Sequence, residues 1–139
     1  MGSRVNRSYQ DRELILFGRA YDITNYTGGV SYFKGLSAAK LHLLMDLGFA
    51  DPEDRQNNCP PIKKVYKFLQ KMEDIGCSGW TAHGYAVAGY RDDYRISIEG
   101  VAFERDFPMT EPERHLFEVV FGDADEFECG DFRARAWFD

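Results

Sequence analysis

Around Gly76 and Gly79 the hydrophobic period of this chain changes, and that change constrains its fold more than any other feature. Before it, Ile62, Val65, Tyr66, Leu69 and Met72 recur at the spacing of a helix that buries one stripe, and Phe68 widens the stripe. After it, residues 80–88 alternate. Trp80, Ala82, Gly84, Ala86 and Ala88 fall on one side, and Thr81, His83, Tyr85 and Val87 on the other. Helices grouped before strands is the pattern of an α+β domain.

The helical half holds a pair. Ser37 is a good N-cap, because its hydroxyl can accept a first-turn N–H. Gly48 suits a left-handed helix stop, so the first helix should cover about residues 38–47. Pro61 suits the first position of the second, predicted over about 61–74. Upstream, Leu14, Ile15, Leu16 and Phe17 form an apolar run that suggests a strand buried on both faces, over residues 13–20. Residues 21–35 read as a long aromatic loop with a short strand at 30–33. That loop is either pinned to the core or used for recognition.

Past Gly79 the expectation is a four-stranded antiparallel meander with the helices packed on its alanine and glycine face. Its strands are residues 80–88, 94–106, 115–121 and 131–138. Apolar parity changes after Gly100, which suggests a bulge there. Residues 108–113 read as a loop, and the acidic stretch 123–128 as a turn. Residues 1–10 are expected to be loosely held or a cloning remnant, and residues 11–139 to form a single domain.

Charge and composition then exclude several functions. The net charge is −6, against the basic excess of a protein that coats nucleic acid or anionic membrane. No apolar run nears the ~20 residues of a membrane span. Cys59, Cys77 and Cys129 form neither a disulfide framework nor a C-x-x-C pair. A reducing, cytoplasmic setting without a structural metal follows. No phosphate loop, dinucleotide fingerprint, nucleophile elbow or metalloprotease motif occurs, so no cofactor and no catalytic residue is assigned. A Cys129–His115 nucleophile and base would have no local signature to support it.

Two features remain as candidate sites. The polar sheet face should collect His83, Tyr85, Arg95, Glu99, Arg133, Arg135 and Trp137. Arginines interleaved with aromatics can anchor a protein or a flat ligand. The chain is also asymmetric: from Glu99 onward it has twelve acidic and four basic residues. Asp125 and Glu126 belong to that acidic segment, which could meet a basic partner. Lys63, Lys67 and Lys71 repeat every four residues along the second helix, the spacing of a solvated face. The reading is a small acidic, non-enzymatic interaction or regulatory module that binds another protein, as monomer or homodimer. The alternative is a small-ligand-binding domain or small enzyme using the His/Arg/aromatic face.

Overall fold

The computed structural model describes residues 5–139. Four helices and five strands follow one another as α1 (Tyr9–Phe17), β1 (Val30–Leu36), α2 (Ala38–Asp46), α3 (Ile62–Asp74), β2 (Trp80–Val87), β3 (Ile96–Glu104), α4 (Glu111–Phe121), β4 (Glu126–Cys129) and β5 (Arg133–Trp137). This is the expected α+β class. The helix pair forms, although Pro61 stands one residue before α3, at its N-cap, where it was expected at the first helical position. Ser37 Oγ accepts from the Lys40 N–H, and α2 buries Ala38, Leu41 and Leu44. Gly48, at φ 82°, takes the left-handed turn that ends it. α3 buries Ile62, Val65, Phe68, Leu69 and Met72.

Two expected strands are helices. Residues 13–20 overlap α1, whose buried face is Arg12, Glu13 and Leu16, while Leu14 points outward at 57% exposure. The apolar run misleads because charge, rather than hydrocarbon, fastens this helix. Glu13 accepts from Tyr26 Oη (2.5 Å) and Arg19 Nε (2.8 Å). Arg12 donates to the Val87 and Arg95 carbonyls at 2.7 and 3.3 Å. Residues 115–121 belong to α4. Thr110 Oγ1 accepts from the Glu113 N–H while the Glu113 carboxylate accepts from the Thr110 N–H, and Pro112 occupies the first turn. Part of the expected acidic turn is strand β4.

The sheet is antiparallel, in the order β1-β2-β3-β5-β4, so β5 inserts between β3 and β4 where a simple meander would not. Between His83–Gly100 and Gly84–Ile98 the register shifts, leaving Glu99 as the extra residue of a bulge at the expected place. All four helices bury their side chains on one face. Phe68 of α3 and Phe117 of α4 pack against Trp80, Phe121 of α4 packs against both phenylalanines, and Phe17 of α1 meets Phe33. The close approach of β2 to β3 beside the bulge requires Gly84, where a Cβ would lie 1.9 Å from the Ser97 carbonyl oxygen.

Of the ten N-terminal residues expected to be loose, residues 1–4 lie outside the described residues. Asn6 donates its N–H to the Gly48 carbonyl at 2.8 Å, and Arg7 donates to the Gly89 carbonyl at 2.9 Å. The aromatic loop is pinned to the core: Tyr9, Tyr21 and Tyr26 stack in succession, and Tyr26 is buried. Tyr32, on β1, is its exposed exception. Among the described residues, no helix is long and apolar enough to cross a membrane.

Candidate functional site

Strand pairing decides which side chains share the face that the helices leave uncovered. In successive rows across the sheet, Tyr32 opposes Tyr85 and Tyr85 opposes Ser97; His83 opposes Gly100, which opposes Trp137, which opposes Glu126; Ala102 opposes Arg135, which opposes Glu128; and Glu104 opposes Arg133. His83, Tyr85, Arg133, Arg135, Trp137 and Glu126 are thus brought onto one face. Arg95, at the entry to β3, reaches the same face through its guanidinium. It donates to Tyr85 Oη and Ser97 Oγ, both at 3.0 Å. Asp125 stands at the border, where its carboxylate accepts from the Asp139 N–H at 2.7 Å.

The centre of the face is a ring pair over a glycine. The His83 and Trp137 rings meet edge to face, with centroids 6.1 Å apart. Gly100 lies beneath them: a Cβ there would come 3.1 Å from His83 Nε2 and 1.9 Å from the Ala136 carbonyl oxygen. His83 Nε2 and Trp137 Nε1 are both buried without a hydrogen-bond partner. Burial, aided by the Arg135 charge, pushes the His83 imidazole down to about 4, so it is neutral near pH 7. Glu99, 8% exposed, has its carboxyl pushed up by burial and by Asp139, against an opposing effect of the neighbouring Trp137.

Around this centre the charges are already matched. Arg135 pairs with Glu126 at 2.7 Å and lies 4.9 Å over the Trp137 ring, and Arg133 pairs with Glu104 at 3.3 Å. Two open depressions flank the ring pair. One, of about 640 Å³, is lined by Lys34, Thr81, His83, Glu128, Arg133 and Arg135. The other, of about 440 Å³, is lined by Tyr32, Asn57, Tyr85, Arg95, Glu99 and Asp139.

The Nε2 nitrogen of His83 is buried over Gly100. Cys129 has Arg114 Nη1 and Met109 Sδ as its sulfur's neighbours, and burial raises its thiol. Cys59 is buried and pushed up to about 12. Among the described residues, no group of three or more His, Cys, Asp or Glu could hold a metal ion.

Three contributors escaped the sequence reading. Tyr32, expected only as part of the aromatic loop and its short strand, joins the face because β1 pairs with β2 and sets it opposite Tyr85. Ser97 anchors Arg95. Gly100 acts as a pedestal as well as a bulge. Comparison with family models, curated proteins and solved structures finds no match to this chain.

Proposed function

We propose that this chain is a small acidic, non-enzymatic module that binds another protein through the uncovered face of its sheet. One observation carries the reading: all four helices pack on the opposite face, so the face that bears Tyr32, Tyr85, His83 and Trp137, with Arg95 and Arg135 laid against its rings, has no helix over it. Tyrosine, tryptophan and arginine are the residues that most often dominate binding energy at interfaces. Tyr32 is 65% exposed and leans edge-on against Tyr85 at 5.8 Å, a large apolar surface left in water. The ion pairs of Arg133 and Arg135 supply a polar rim that sets orientation and rejects mismatched partners. Three free thiols suit a reducing, cytoplasmic setting.

The test is capture of a partner from lysate of the protein's own source. Arg133→Glu with Arg135→Glu, Asp125→Lys with Glu126→Lys, and Tyr32→Ala are compared with the parent chain. Retention of the captured protein should fall roughly tenfold or more in at least one charge reversal and in Tyr32→Ala. Far-UV circular dichroism should remain that of the parent. Unchanged capture by all three variants overturns the reading. A second reading, small-ligand binding in the 640 Å³ depression beside His83, draws on a volume within the range of ligand sites. It predicts a thermal shift with a small molecule that His83→Gln abolishes and Tyr32→Ala leaves intact.

A further inference from the structure

We propose that the groove between α3 and α4, on the helical side of the molecule, docks an acidic amphipathic helix from a partner protein. The groove has a volume of about 550 Å³. Its floor is apolar. Phe68 rises from α3, and Leu116 and Val120 face it from α4. Val119, on the α4 rim, is 67% exposed and carries the apolar lining out to the groove's edge.

The rim is basic. Lys64, Lys67 and Lys71 line the α3 side, and Arg55 stands at the end nearer the start of α3, against a single carboxylate, Asp123. None of these four cations forms a salt bridge among the described residues, whereas Lys63, one position away, pairs with Glu53. Four unmatched cations around one apolar trough are conspicuous in a chain whose net charge is −6. A groove of this kind complements a helix with one apolar stripe and carboxylates beside it. Lys64 and Lys71 stand about 10 Å apart along α3, from a rise of ~1.5 Å per residue, so the partner's carboxylates should recur over two turns.

The probe is a display library of random 16-residue peptides selected on the folded full chain. The winners are synthesised with a fluorophore and measured by anisotropy. Selected peptides should be enriched in Asp and Glu, with Leu, Ile or Phe at three- and four-residue spacing. Lys67→Glu with Lys71→Glu should weaken them roughly tenfold, and peptides with Glu exchanged for Lys should recover part of that loss on the reversed protein. Val119→Asp should weaken the original peptides comparably. All three substituted positions are solvent-exposed, and circular dichroism checks that each variant is folded. Winners without acidic enrichment, or winners that bind the reversed variant equally, overturn the proposal. So does tighter binding of a single-stranded oligonucleotide at the same lysines, or self-association in ultracentrifugation that Lys67→Glu with Lys71→Glu abolishes. Those outcomes would make the occupant a nucleic acid or a second copy.

Discussion

At the scale of single residues, His83 shows how a polar group can serve packing. Its imidazole lies against Gly100 and the Trp137 edge, and it is held neutral by burial first and the Arg135 charge second. Its folded value of about 4 is below the ordinary 6.5, so the unfolded chain takes up the extra proton. Its contribution to stability is therefore full above pH 6.5, declines as pH falls, and levels off near pH 4. Urea titrations across that window should show a loss on the order of 3 kcal/mol attributable to this residue. His83→Gln should flatten the slope between pH 6.5 and 4. An unchanged slope would mean that the imidazole is solvated and free to titrate.

At the scale of elements, the bulge in β3 places Trp137 opposite Gly100 and so assembles the central row of the face. Gly100 has φ 155° and a backbone carbonyl where a Cβ would stand. Gly100→Ala should cost about 2 kcal/mol or more, read as a lower urea midpoint, because two paired strands must separate to admit one methyl group. Much of this layer was legible in sequence. Ser37 and Gly48 announced both ends of α2, the stripe from Ile62 to Met72 announced α3, and the parity change announced the bulge. Two helices were not read, for different reasons. α4 carries a plain signal, Thr110-Glu-Pro-Glu113, that outweighs the strand-like residues following it. α1 carries none in its apolar residues, since Arg12 and Glu13 face inward and their partners Tyr26, Val87 and Arg95 are distant in sequence. The face was half legible. Alternation gave the orientation of His83, Tyr85, Arg133 and Arg135, but row membership depends on strand order, and β5 beside β3 has no local signature.

At the scale of the whole molecule, two buried charge networks hold the central β2–β3 hairpin at its opposite ends. Near Val87, Arg12 and Glu13 tie α1 to the strand ends, with Tyr94 beneath the Arg12 guanidinium at 4.4 Å. Near Trp80, Glu113 accepts from the Trp80 indole at 2.8 Å and from Arg105, and both carboxylates are fully buried. Burial alone would raise the Glu113 carboxyl; the hydrogen bonds from Arg105, Thr110 and Trp80 hold it down to about 2. The networks stand roughly 23 Å apart, from seven steps of ~3.3 Å along β2. Glu13→Gln and Glu113→Gln should each cost about 2 kcal/mol in urea unfolding, and the double variant should lose their sum to within ~0.5 kcal/mol. A larger discrepancy would mean that the hairpin transmits strain between its ends. The strand order has a further consequence, for how copies of the sheet could join. β1 and β4 each present one unpaired edge, and such edges invite another sheet to extend them. A second β4 laid antiparallel on the first, centred on Phe127, would set Glu126 of each copy against Glu128 of the other. On β1, the register break between Phe33 and Leu36 interrupts the straight ladder that an added strand would copy. Both margins thus carry features that oppose the templated addition of a further strand.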